Sequence, residues 1–114
     1  MDERRRTRVA KAILREISLI LRREARDPRL GGVVATQVRL SKDGSHCVVY
    51  YSVVSRDSAE SDVRDALISA TGFMRRLLAD RLALRITPEI SFVEDDSIEG
   101  GERVLRIMRS LEED

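Results

Sequence analysis

The sequence predicts a single α+β domain spanning residues 1–114, with a three-stranded sheet covered by helices on one face. Three observations predict it. Residues 7–26 repeat apolar side chains at helical spacing. Two runs rich in β-branched and aromatic residues, 33–41 and 46–54, flank an Asp-Gly turn. A second stretch of helical period, 60–83, leads to a short third strand at 89–93. A chain of 114 residues suits one domain, and folding at this size buries roughly two-thirds of the unfolded chain's surface. With aromatics at 4% and no Trp, the core must be mostly Val, Ile and Leu.

Each element has its own signal. In the first helix Val9, Ile13, Ile17 and Ile20 form one apolar arc with Leu14 and Leu21 beside it. Asp27-Pro28 stops it, because the residue before a proline is pushed out of the helical region. Gly31-Gly32 then turns the chain. In the first strand Val34, Thr36, Val38 and Leu40 are expected on one face, with Gln37 and Arg39 on the other. Lys42-Asp43-Gly44-Ser45 is the hairpin turn. Arg56 to Glu60 reads as a polar loop. Between 60 and 83 the residues Val63, Leu67, Ala70, Met74, Leu77 and Leu78 keep the helical period, but Gly72 interrupts it. A mid-helix glycine predicts two short helices broken at Ala70-Thr71-Gly72. Pro88 opens the third strand, Ser97 and its acidic neighbours cap a last helix, and Val104, Met108 and Leu111 give that helix an apolar stripe. The expected core is Val9, Ile13, Ile17, Val38, Val49, Leu67, Met74, Leu77 and Phe92.

Several function classes are disfavoured. No apolar run approaches the length of a membrane span, so no membrane partner is expected. The N-terminus does not resemble a signal peptide, and the lone Cys47 gives no disulfide framework, so the expected compartment is cytoplasmic. His46 and Cys47 are neighbours in a strand and point to opposite faces, so they cannot form a nucleophile–base pair. The acidic pairs Asp95/Asp96 and Glu112/Glu113 are explained by capping and solvation. A metal site built from Asp43, His46 and Asp95 would require the hairpin to meet the third strand. No catalytic residue, metal or cofactor is expected.

Charge is the richer signal. The net charge of +1 conceals a gradient: +5 over residues 1–30, +2 over 31–88 and −6 over 89–114. Such asymmetry suggests a polyanionic partner for the first half. On a helical wheel Arg4, Arg8, Lys11, Arg15, Arg22 and Arg26 fall within about 60° of one another, roughly opposite the apolar arc. One face would dock on the sheet while the other presents cations to nucleic acid; the alternative is an ordinary solvated face. A helix restarting near Gly72 would bring free backbone N–H groups together with Arg75 and Arg76 as an anion site. The alternative there is a glycine placed for close helix packing. Tyr50 and Tyr51 could stack a base, or one could be core and the other surface.

The element order α-β-β-α-α-β plus a C-terminal helix resembles a type II KH domain, an RNA-binding fold. Its usual Gly-x-x-Gly loop is missing, since no two of the six glycines are three residues apart. Ala70-Thr71-Gly72 stands in that place. With Asp27-Pro28-Arg29-Leu30, Val38-Arg39-Leu40-Ser41-Lys42-Asp43, Val49-Tyr50-Tyr51-Ser52-Val53, Ala70-Thr71-Gly72-Phe73-Met74-Arg75 and Leu84-Arg85-Ile86-Thr87-Pro88-Glu89-Ile90-Ser91-Phe92, the chain resembles the bacterial ribosome-binding factor A family. Arg8-Val9, Arg15-Glu16-Ile17 and Asp95-Asp96-Ser97-Ile98 extend the resemblance over nearly the whole chain. It implies a KH-like fold with a kinked Ala-x-Gly helix in place of the loop, carried over to Ala70 and Gly72. It implies a non-enzymatic assembly factor, expected to be monomeric. Its partner would be the free small ribosomal subunit and its rRNA, whose late maturation and end-processing it assists, above all in the cold. A second reading is a protein-interaction module whose basic first helix binds an acidic partner.

Overall fold

The computed structural model describes residues 1–55 and 58–112, the side chains of Leu111 and Glu112 excepted. Arg56 and Asp57 of the expected polar loop, and the Leu111 side chain of the last apolar stripe, lie outside the described residues.

Asp2 starts the first helix, α1 (Glu3–Leu19), ahead of the apolar period: its carboxylate accepts the Arg5 N–H at 2.8 Å. This cap explains why the helix begins four residues before the expected start at 7. It also ends differently. Ile20–Glu24 widens into a π turn, closed by the Ala25 N–H donating to the Ile20 carbonyl at 2.8 Å. Ala25 is extended, and Pro28–Leu30 forms a single 3-10 turn behind the Asp27 cap.

Strands β1 (Val33–Leu40) and β2 (His46–Val53) form the expected antiparallel hairpin. Its turn rests on Gly44 at φ +78°, a left-handed conformation suited to glycine. The Asp43 carboxylate accepts from the Ser41 and Ser45 hydroxyls at 2.8 and 2.7 Å, and these bonds hold its pKa down at about 2. A bulge between Ala35 and Gln37 shifts the register of β1. The expected core face therefore holds only beyond it: Thr36, Val38 and Leu40 are buried, but upstream the buried residues are Val33 and Ala35 rather than Val34.

One continuous helix, α2 (Glu60–Arg81), follows. The expected break is absent, and the backbone stays helical through Ala70-Thr71-Gly72. Val63, Ala66, Leu67, Met74 and Leu78 remain in phase across the glycine and are all buried. That burial outweighs a cost of about 1 kcal/mol for one glycine. α2 carries the chain across to β3 (Glu89–Glu94), which pairs parallel with β2 from His46↔Glu89 to Tyr51↔Glu94. The sheet order is β1-β2-β3.

Ile13, Ile17, Val38, Val49, Leu67 and Met74 are core as expected, with Val9, Leu77 and Phe92 packed partly buried against them. Tyr51 is buried and meets the Phe92 ring edge-on, 6.3 Å between centroids. The last helix, α3 (Ile98–Glu112), is capped as expected, Ser97 Oγ accepting the Gly100 N–H at 2.9 Å. It lies against β1 and β2 with Val104 buried, while Met108 is exposed at its edge. No helix among the described residues is long and apolar enough to cross a membrane.

Candidate nucleic-acid interface

Helical periodicity turns the apolar arc of α1 onto the sheet and leaves Arg4, Arg8, Lys11 and Arg15 exposed along its outer side. They border a shallow trough of about 640 Å³. Among the described residues, no carboxylate comes within ion-pairing distance of these four. The acids of this stretch of chain have partners of their own. Glu3 pairs with Arg6. Glu24 receives Arg81 of α2 at 2.6 and 2.7 Å, and Glu16 lies 3.5 Å from the same guanidinium. Holding those acids raises the Arg81 pKa above the ordinary guanidinium value. The four cations thus form an uncompensated row.

Arg22 and Arg26 do not continue that row. The wheel placing them there assumes an unbroken α-helix to residue 26, but the π turn changes the rotation per residue and Arg26 lies beyond it. Arg22 borders a hollow with Val34, Ile107 and Met108 on the α3 side. Arg26 borders a different groove, about 670 Å³, between this turn and the middle of α2, together with Arg23, Ala70 and Phe73. Tertiary packing thus brings Arg26 to Ala70, a meeting of two expected sites that sequence spacing does not show. Phe73 and Arg23 are not among the residues that charge and spacing single out in the sequence. A signal for Phe73 existed: Ala66, Ala70 and Phe73 repeat at i, i+4 and i+7, small residues leading to an aromatic beside the core stripe.

The anion site expected around Gly72 is not built as such. In a continuous helix the N–H groups there stay within the helix, so no cluster of free donors forms. The Thr71 hydroxyl donates back to the Ile68 carbonyl at 2.8 Å. Close packing does not explain Gly72 either: a Cβ there would meet only Arg76 Nη1, at 3.9 Å. Arg75 and Arg76 diverge. Arg75 donates to the Pro88 and Thr87 carbonyls, both at 3.1 Å, and so pins the approach to β3. Arg76 is exposed beside Gly72.

Other candidates resolve simply. Tyr50 is half-buried with the Arg39 guanidinium 5.7 Å from its ring centroid. His46 faces solvent 3.3 Å from Glu89, while Cys47 is buried on the core side and its thiol pKa is pushed up to about 11 by desolvation. Among the described residues no three His, Cys, Asp or Glu side chains converge as a metal site.

A family model described as Ribosome-binding factor A matches residues 5–108. The ribosome-binding factor A of Heliobacterium modesticaldum is 44% identical over 112 residues, covering 98% of this chain and 93% of that protein. Among solved structures, the crystal structure of ribosome-binding factor A from Thermus thermophilus superposes with a TM-score of 0.70 at 28% identity, covering 78% of this chain and 93% of that one. A homology model of the Thermus thermophilus ribosome binding factor A, fitted into a cryo-EM map of its complex with the 30S subunit, matches with a TM-score of 0.55 at 30% identity, covering 72% of this chain and 90% of that one.

Proposed function

Because this chain belongs to the ribosome-binding factor A family, whose members are non-enzymatic ribosome assembly factors, we propose that it binds the free small ribosomal subunit through phosphates of its RNA. On this reading it assists late maturation and processing of the precursor 16S rRNA. The choice of partner is supported by the Thermus relative, whose homology model is fitted into a map of a 30S complex.

The observation that carries the proposal is the uncompensated row Arg4, Arg8, Lys11 and Arg15 on α1. Cations spaced along a rigid helix suit backbone phosphates, and the row holds no aromatic or amide side chain that could read a base. Arg22, Arg26 and Arg76 extend the basic surface on neighbouring elements, while Arg75 contributes charge from a pinned position.

A salt titration on a small-subunit RNA fragment tests this. If four residues meet phosphates, log affinity against log salt should slope near −3, at about −0.7 per contact on single strands. Replacing Arg8 and Lys11 with Ala should flatten the slope by about 1.4 on the same figure. Stability should change by less than about 0.5 kcal/mol, since both side chains are exposed. An unchanged slope at full affinity would reduce the row to a solvated face. Binding to small subunits that survives nuclease treatment would favour an acidic protein partner instead.

A further inference from the structure

We infer that the groove between the π turn and the middle of α2 accepts one unpaired nucleotide of RNA, its base stacked on Phe73 and its phosphates held by Arg23 and Arg26. The inference rests on the RNA-binding reading above and adds what α1 cannot supply, a means of recognising single-stranded RNA.

The groove, about 670 Å³, has a charged rim and an apolar floor. Leu30, Ala66 and Met74 are buried beneath it. Ala66, Ser69 and Ala70 are small, so α2 leaves open space beside the larger Phe73. Phe73 is 37% exposed, although a phenyl ring gains from burial. Of the four aromatic residues, Tyr51 and Phe92 pair with each other and Tyr50 lies under Arg39. Among the described residues Phe73 has neither an aromatic nor a guanidinium neighbour at stacking distance.

The rim's charge is equally unopposed. Among the described residues two carboxylates border the groove, and both are engaged: Glu24 by Arg81 at 2.6 Å and Asp27 by Arg29 at 2.7 Å. The Arg29 bond holds the Asp27 carboxyl below the usual carboxylate range, so it stays ionised and turned to its partner. Asp62 and Asp65 of α2 also direct their charge at Arg29. Arg23 and Arg26 have no ion-pair partner among the described residues. An open ring beside two free guanidiniums is the combination that holds single strands: stacking takes the base and the cations take the backbone. A base-paired nucleotide cannot turn its face to Phe73, so a duplex should gain nothing here.

Fluorescence anisotropy with the full chain tests the inference. The probes are a short single-stranded RNA, the same strand abasic at every position, and a blunt duplex of equal length. Phe73→Leu should weaken single-strand binding roughly tenfold or more, as expected for loss of one stacked base, and leave duplex binding unchanged. Phe73→Tyr should retain the wild-type affinity, separating loss of the ring from disturbance of the fold. The abasic strand should bind the wild type about as weakly as the intact strand binds Phe73→Leu. Replacing Arg23 and Arg26 with Gln should also weaken single-strand binding. Equal losses on duplex and single strand, or none on either, would overturn the groove while leaving the α1 phosphate surface standing. A wild-type chain that binds none of the probes would overturn both readings.

Discussion

Gly32 and Gly72 are the same residue type in opposite surroundings. The Gly32 carbonyl accepts the Val54 N–H at 2.8 Å, and a Cβ at this position would overlap the Ser55 backbone carbonyl. Gly32→Ala should therefore lose about 1–3 kcal/mol, the usual range for forced overpacking, as read by urea denaturation. Gly72→Ala should gain about 1 kcal/mol, because the helix is continuous there and the added methyl meets open space. RNA affinity should be unchanged in Gly72→Ala, since the backbone is already helical. Asp43 makes a pH prediction. Its carboxyl stands at about 2 in the fold against 3.8 ordinarily, depressed first by the Ser45 hydroxyl. A lowered folded-state value stabilises the protein above 3.8, and that contribution is lost as the pH falls towards 2. Asp43→Asn should lack this component, so thermal melts of the two proteins should converge as the pH falls through that window.

At the scale of elements, α1 and α2 show how a local departure redirects side chains. The π turn separates Arg22 from Arg26 and gives each a different groove. In α2, Arg75 and Arg76 are adjacent but roughly 100° apart around the axis. One reaches the carbonyls before β3, and the other faces solvent. Arg75→Ala should cost roughly 1 kcal/mol, because charge-assisted bonds to the Thr87 and Pro88 carbonyls are lost in a partly exposed setting. Arg76→Ala should leave denaturation unchanged within about 0.5 kcal/mol. Equal effects would contradict the assignment of Arg75 to the approach of β3.

Across the whole molecule, the basic surface depends on where the acids are held. Arg81 at the end of α2 engages Glu24 at 2.6 Å and lies 3.5 Å from Glu16, on the element that carries the cation row. Arg81→Gln should free Glu16, next to Arg15 in the chain, and Glu24 at the rim of the groove that Arg23 and Arg26 border. RNA affinity should then fall and its salt dependence flatten, although Arg81 is not among the residues proposed to meet phosphate. Stability should drop by no more than about 1 kcal/mol, because the network is largely at the surface. Full RNA affinity in this variant would show that long-range compensation does not shape the interface.

The element types, the Asp-Gly hairpin and most of the core were legible in the sequence, because apolar period and turn chemistry are local properties. Ile13, Ile17, Val49, Leu67 and Met74 reach the core on the faces their spacing assigns. The exposed cations of α1 were equally legible, since a residue opposite an apolar stripe has nowhere to go but solvent. What chain-local signals could not decide was where competing interactions balance. A single glycine argued for a break in α2, but burial summed along the helix overrode it. A bulge in β1 exchanged the faces on either side of it, and the π turn did the same for Arg22 and Arg26. The Arg81 bonds to Glu16 and Glu24, and the groove joining Arg26 to Ala70 and Phe73, exist only because α1 and α2 pack side by side on the sheet. Periodicity assigns each side chain a direction from its own axis, whereas contacts between distant segments depend on how those axes are set against one another, which packing alone fixes.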